Sequence, residues 1–575
     1  MKKVAALLGM ILLAGLVWVG CLDQAGPGTS TYKGPLFRYH YAGRTHLPTG
    51  TNAVVYREID ALPLTAELRG ELAQKLAAGA FTFWKRDLPA GVPDASTNLA
   101  PLLEDLQVAE AYVEVRGSPG RTETVVAAEL SDARAQVWQA RLRELAAAWK
   151  LGSPRDVTLE GAKGWEAKRT QAPNTLQFFR TGAWVLVGLG QDAIPQLTAL
   201  LKEARGSGRP LPALPGSFRE VSVDFPALRS WFPALAKFPL PAAVVSWTSR
   251  ADNVRTDARL HYASPIRWRS EPWKIPTNAI SDPVTSFTVG QGIAPLLSVL
   301  KGSADLGVNP LPNQFCAWGI KHAQCRIFFS VPVPGDSTNV IKQVAVQLPK
   351  FILANVTNAR GDFFFVSNRA EVVWADLPFM VPVLHAERNG KDNFLVGGNF
   401  PLSANQTPVP PELYAQVRGR TNLLYYDWEI TQERLTHAKQ FYQLACMATG
   451  RRSPNVNTVP QRWLAAITPK LGNTVTEITK AGPQEIALVR KSHLGLTGFE
   501  IATFCAWVDS PGFPFEFELP GILPWTVTDS AVYRMAHPEA SKRPLKGDPA
   551  PGPRPAAPAG TNALPAGKRG GVSPK

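Results

Sequence analysis

Two carboxylates, Asp427 and Glu429, stand two residues apart in Leu423-Leu424-Tyr425-Tyr426-Asp427-Trp428-Glu429-Ile430, a stretch with strand character. Alternate residues of a strand share a face. Both acids would therefore point the same way, and paired carboxylates perform glycoside hydrolysis when one donates a proton and the other acts as base or nucleophile. Sixteen tryptophans are available to stack on sugar rings. Such catalysis needs a set carboxylate separation across a cleft, however, and i, i+2 acids on a solvated strand face are commonplace. A hydrolase of polysaccharide or peptidoglycan therefore stands as the rival reading, and no residue is assigned as catalytic.

Other motifs are weaker. Ser298-Val299-Leu300-Lys301 fits S-x-x-K, the nucleophile and base of penicillin-binding enzymes, but its companion motifs are missing. Leu296, Leu297 and Leu300 make it an ordinary apolar helix. Gly188-Leu189-Gly190-Gln191-Asp192-Ala193 fits the G-x-G-x-x-A turn that admits a pyrophosphate to a helix N-terminus. The strand before it reads as half of a hairpin, and no acidic strand end follows about 20 residues on. A plain Gly-rich turn is the expectation, and no cofactor is assigned. Once Cys21 is set aside, Cys316, Cys325, Cys446 and Cys505 remain. An even number in an oxidising compartment permits two disulfides, with Cys316 and Cys325 the nearest pair. His322 lies between these two, but C-x5-H-x2-C is not a zinc spacing. The other histidines are scattered, so no metal is assigned.

The elements that would position these residues are legible from periodicity. Asn52 to Tyr56 reads as a short strand, and Leu64, Leu68, Leu72 and Leu76 form one helical stripe. Tyr112 to Val115 and Glu123 to Val126 flank Gly117-Ser118-Pro119-Gly120, a hairpin. Ser131 then caps a helix through Val137, Leu142, Leu145 and Trp149. Leu176 to Phe179 and Trp184 to Val187 pair around Thr181-Gly182. Asp192 caps a helix through Ile194, Leu197, Leu200 and Leu201, which ends at Gly206. Strands follow around 220–223, 242–247 and 255–262.

This order recurs. Cys325 to Phe329 with a helix through Val340, Val344 and Leu348 mirrors residues 123–149, offset by about 200. Phe363 to Val366, a turn at Asn368-Arg369, Val372 to Trp374 and an apolar segment to Leu384 mirror 176–201, offset by about 187. Leu413 to Val417 and Leu423 to Tyr426 fall where the strands after Phe218 would. The expectation is an α+β fold of two tandem related modules, 46–270 and 271–525. Each would be a mainly antiparallel sheet with helices packed on one face.

The chain ends carry their own signals. Met1-Lys2-Lys3 followed by 17 uncharged residues from Val4 to Gly20 has the layout of an export signal. Cys21 after Val19-Gly20 resembles the lipobox of bacterial lipoproteins, in which that Cys is acylated and becomes the mature N-terminus; Trp18 departs from the usual aliphatic residue. Cys21 is thus the lipid attachment site of the leading reading, and an uncleaved anchor is the alternative. Residues 22–45 read as a tether. The stretch 538–575 carries nine prolines and no apolar periodicity, so a disordered tail is expected there. It holds seven Lys and Arg against Glu539 and Asp548, a net +5 out of the chain's +15. The body shows no basic run of the kind that grips phosphates, which argues against a nucleic-acid partner.

Placed after such an export signal, the Asn52-to-Pro63 opening and the strand-turn-strand-helix of Leu176 to Leu201 resemble the duplicated bacterial envelope proteins grouped as domain-of-unknown-function family 3352. The resemblance covers residues 46 to 520 and implies no activity or site. Together these features point to a non-catalytic binding or scaffold protein of the cell envelope. It would be extracytoplasmic and held at a membrane by its N-terminal lipid or anchor, with an envelope protein or an apolar ligand as partner. A carrier of lipid or another apolar ligand is the further alternative.

Overall fold

In the computed structural model, residues 34–514 are described, apart from 48–52, 84–94, 119–120, 149–150, 169–174, 191–193, 231–239, 267–269, 299–303, 323–325, 356–360, 378–379, 403–406, 450–454 and 511–512. The expected export signal, Cys21 and the 538–575 stretch lie outside these residues. No helix among the described residues is long and apolar enough to cross a membrane.

Ten strands come from the first half of the chain: β1 (Pro35–Tyr41), β2 (Ala111–Ser118), β3 (Arg121–Glu129), β4 (Arg155–Leu159), β5 (Ala162–Lys168), β6 (Thr175–Thr181), β7 (Trp184–Gly190), β8 (Ser217–Asp224), β9 (Ala242–Arg250) and β10 (Asn253–His261). The second half supplies β12 (Val284–Gln291), β13 (Gln314–Ile320), β14 (Arg326–Val333), β15 (Asp362–Val366), β16 (Glu371–Ala375), β17 (Val383–Asn389), β18 (Asp392–Gly398), β20 (Leu423–Ile430), β21 (Asn473–Lys480) and β22 (Glu485–Ser492). Two-residue strands β11 (Ser281–Asp282) and β19 (Thr407–Pro408) form a separate ribbon. All the others join one 20-stranded sheet. Every pairing is antiparallel, and the spatial order is β4-β5-β6-β7-β3-β2-β1-β8-β9-β10-β22-β21-β20-β12-β13-β14-β18-β17-β16-β15.

Helices cover the sheet. They are α1 (Val54–Ala61), α2 (Pro63–Phe83), α3 (Ala95–Asp105), α4 (Asp132–Ala148), α5 (Pro195–Ser207), α6 (Ala294–Ser298), α7 (Ser337–Asn355), α8 (Pro411–Ala415), α9 (Thr431–Thr449), α10 (Val459–Ile467) and α11 (Gly498–Asp509). The leucine stripe of α2 behaves as its spacing predicts, with Leu68, Leu72 and Leu76 buried. Its core is shared between the halves: Trp463 and Ile467 of α10 and Ile501, Phe504 and Val508 of α11 belong to the same cluster as Leu68, Leu72, Trp138 and Phe178. Polar contacts reinforce the join, because Trp463 Nε1 donates to Thr65 Oγ1 at 2.8 Å and Lys75 Nζ to the Val508 carbonyl at 2.8 Å.

Several expectations are corrected. The stretch 22–45 contains β1, which is hydrogen-bonded to β2 on one side and β8 on the other, so the sheet begins well inside the expected tether. Val54-Val55-Tyr56 is helical. The two valines suggested a strand, but Tyr56 and Ile59, spaced as a helix needs, are the buried positions. Leu413 to Val417 is not a strand either, since Pro411 at the first helical position opens the short helix α8. The N-cap of α5 is Ile194, with Asp192 outside the described residues. Helices also occupy both faces. In β7, Val185, Val187 and Leu189 face the large shared core, while Trp184 and Leu186 pack against Leu197, Leu200 and Leu201 of α5 on the opposite side.

Leu72→Ala and Ile467→Ala should each cost about 2–5 kcal/mol through lost burial and a residual cavity. Because their core is common, urea unfolding followed by fluorescence should show the same single transition moved down in both variants. Separate transitions for the two halves would show that the core is not shared.

Candidate functional site

The sequence-selected carboxylates lie on β20 near the middle of the sheet, beneath α9 and α11. Register sets polar side chains side by side across neighbouring strands. Asp427 stands opposite Thr288 of β12 and Thr476 of β21, Thr476 opposite Arg490 of β22, and Arg490 opposite Thr256 of β10. One step along, Glu429 stands between Ser286 and Thr474. Asp427 and Glu429 do share a face, as the alternation predicts, but both are 0 % exposed.

Their partner is Arg434. Helix α9 starts directly after β20 and brings this residue back over the strand. Arg434 Nη1 lies 2.8 Å from Asp427 Oδ1, and its Nε lies 2.8 Å from Glu429 Oε2. Thr288 Oγ1 donates to Asp427 Oδ1 at 2.6 Å. Glu429 Oε1 accepts from Thr431 Oγ1 at 2.9 Å and from the Gly498 backbone N–H at 2.6 Å, the second placing a carboxylate at the positive N-terminus of α11. Burial pushes the Glu429 carboxyl up, against the pull of Arg434. Burial also works to lower the Arg434 pKa, but Asp427 and Glu429 outweigh it and raise it, so the guanidinium stays charged.

A second ion pair ties α11 down. Arg490 Nη1 donates to Glu500 Oε2 at 2.7 Å and its Nε to Thr476 Oγ1 at 2.9 Å. Glu500 also completes a capping box with Thr497. Arg490 Nη1 and Thr256 Oγ1 both donate to the Gly495 carbonyl at 3.2 Å. Gly495 has φ +71, and a Cβ there would come within about 3 Å of Trp247 and Thr256, so only glycine fits.

This arrangement fastens helices to a sheet and does not present an acid and a base to a substrate. Both carboxylates serve one arginine, and neither reaches a cleft. The remaining motifs disperse. Ser298 is exposed and donates to the Pro295 carbonyl at 2.7 Å, with Lys301 outside the described residues. Gly188 and Gly190 lie inside β7, and a Cβ on Gly188 would meet Leu197 at 2.6 Å. That glycine admits α5 to the sheet, where a phosphate-binding turn would have left the backbone open. Cys316 is a buried free thiol opposite Ser330, its pKa driven up by burial. Cys325, the expected partner of Cys316, lies outside the described residues. Cys446 and Cys505 are buried in helices. Among the described residues no His, Cys, Asp and Glu grouping could hold a metal ion.

Sequence reasoning missed Arg434, Thr288, Arg490 and Glu500. Thr497-x-x-Glu500 ahead of an apolar run was a readable capping box. Thr288 and Arg490 depend on long-range register, and Arg434 on α9 folding back over β20. No family model, curated protein or solved structure matches the chain.

Arg434→Met leaves two buried acids without a cation and should cost about 3–5 kcal/mol, whereas replacing Asp427, Glu429 and Arg434 together with neutral residues should recover most of that loss. Glu429 has its folded pKa raised, so it binds its proton more tightly in the folded state. Its contribution to stability is greatest at low pH and declines as pH climbs from the ordinary value of 4.5 toward the folded pKa. Urea melts from pH 4 upward should show this decline as the difference in stability between the native chain and Glu429→Gln, in which the other carboxylates cancel.

Proposed function

We propose that the chain is an exported, membrane-tethered protein of the bacterial envelope that binds or scaffolds without catalysing, built from two tandem copies of one ten-stranded module. The observation that carries the duplication is the strand order. From one free edge it runs β4-β5-β6-β7-β3-β2-β1-β8-β9-β10, and from the other β15-β16-β17-β18-β14-β13-β12-β20-β21-β22. Each strand of the first series has its counterpart in the second, in the same chain order. β14 begins 205 residues after β3, α7 205 after α4, β20 206 after β8 and β18 208 after β7. On this alignment β15 and β16 match β4 and β5, in place of the match to 176–201 drawn from the sequence. Helices inserted at different points, α1–α3 after β1 and α9–α10 after β20, hide the repeat from simple comparison. The resemblance to duplicated envelope proteins and the lipobox-like Cys21 support the same reading.

The binding assignment rests on where the two copies differ. In the first copy, Val113, Val115, Val126 and Ala128 of β2 and β3 are buried in one cluster with helical Leu68, Leu72 and Leu102. In the second, α7 packs over β17 and β18 and α9 over β12 and β20, with β13 and β14 between them. The two strands are partly covered, since Val331 and Val333 of β14 cluster with Ile341 and Val344 of α7 and His437 of α9 reaches Gly319 of β13, and we place a slot for a helix or an acyl chain around Phe329. Phe329 in this slot is 49 % exposed, while Thr124, its counterpart 205 positions earlier, is buried. This favours an apolar partner, a protein helix or a lipid, and keeps the carrier reading alive. The hydrolase reading has lost its two carboxylates to Arg434.

Two measurements test the proposal. The full chain made in a bacterial host should fractionate with membranes and take up a labelled fatty acid that Cys21→Ser abolishes; an unlabelled chain with Met1 intact in the cytosol would defeat the tether. Purified protein should enhance bis-ANS fluorescence, and Phe329→Asp should reduce it at least twofold without changing the circular dichroism. Unchanged fluorescence would remove the slot from the account.

A further inference from the structure

We propose that β15 is a docking edge for a second copy of this chain, giving a two-fold dimer in which the sheet continues from one molecule into the next. β15 is the last strand of the sheet. β16 takes one side of it, and among the described residues nothing pairs with the other. Its sequence, Asp362-Phe363-Phe364-Phe365-Val366, is the least defended kind of edge, an apolar strand with open N–H and C=O groups. Phe363 stacks on Trp374 with ring centroids 4.9 Å apart, but Phe364 is 52 % and Phe365 39 % exposed.

The opposite edge differs. β4 reads Arg155-Asp156-Val157-Thr158-Leu159, and its charges are engaged, Arg155 with Glu166 at 3.1 Å and Asp156 with Arg143 at 3.3 Å. Charged side chains along an edge oppose strand addition. Among the described residues only one edge is therefore open, and a molecule with one self-complementary edge closes into a dimer instead of growing into a fibre.

A second copy fits this edge better than an unrelated strand because the sequence is complementary to itself. Antiparallel pairing centred on Phe364 sets Phe364 against its own counterpart, Phe363 against Phe365, and Asp362 against Val366. Aromatic meets aromatic on both faces, and no like charges oppose each other. The chain already makes a joint of this kind internally, where β10 and β22 pair antiparallel over eight residues. Five residues of edge bury far less than a permanent interface requires, so the dimer should be weak and concentration-dependent.

The test uses the full-length chain. Sedimentation velocity across a rising concentration series should show monomer passing to dimer with nothing larger, and Phe364→Lys should weaken dimerisation at least tenfold with unchanged circular dichroism. Oxidation of Phe364→Cys should give a disulfide-linked dimer, because the two-fold places position 364 opposite itself. Thr158→Cys on β4 and the native chain should not crosslink under the same conditions. A native chain that stays monomeric throughout, a dimer indifferent to Phe364→Lys, open-ended assembly, or equal crosslinking through position 158 would each overturn the proposal.

Discussion

The eight-residue ladder between β10 and β22 is the constraint on which the architecture depends. Each of these strands would end a ten-stranded sheet by itself and would leave a full row of backbone donors and acceptors unpaired. Pairing them satisfies both rows and fuses the halves into one sheet. The helices follow from that fusion. With the halves side by side, α10 and α11 from the second half can lie beside α2 from the first, and one continuous core forms across the join.

The join also explains the buried polar layer. Thr256, Arg490, Thr476, Asp427 and Thr288 run across five adjacent strands, including both members of the ladder. Apolar residues would pack more cheaply in such a place, since two acids and a cation lose much of their hydration on burial. What the polar residues add is direction. Glu429 accepts from the first backbone N–H of α11, and Arg490 holds Glu500 within the same turn, so the helix can seat in one position only. Catalytic carboxylates require a different setting, with one acid free to exchange a proton with something outside the protein.

Legibility in the sequence followed the range of the interaction. The α2 leucine stripe, the β2–β3 and β6–β7 hairpins and the helix after Ser131 depend on residues close together in the chain, and periodicity revealed them. Val54 to Tyr56 misled because β-branched residues favour strands locally, and tertiary burial of Tyr56 and Ile59 overrode that preference. At the site, the shared face of Asp427 and Glu429 followed from alternation alone. Their burial did not, because it depends on Arg434 folding back over β20 and on α11 arriving from some 70 residues further along. A recurring order of elements was visible in the sequence; the segments of unequal length after β1 and β20 displace part of the alignment we propose for it.

Native-state hydrogen exchange across the β10–β22 ladder tests most directly whether the two ten-stranded halves form one cooperative body. Amides of Val254 to His261 and Glu485 to Ser492 should exchange only through global unfolding, with the same free energy as amides of β3 and β7 in the core. Exchange of the ladder at markedly lower free energy, while the strands on either side stay protected, would mean that the halves part before they unfold, and the single-sheet account would be wrong.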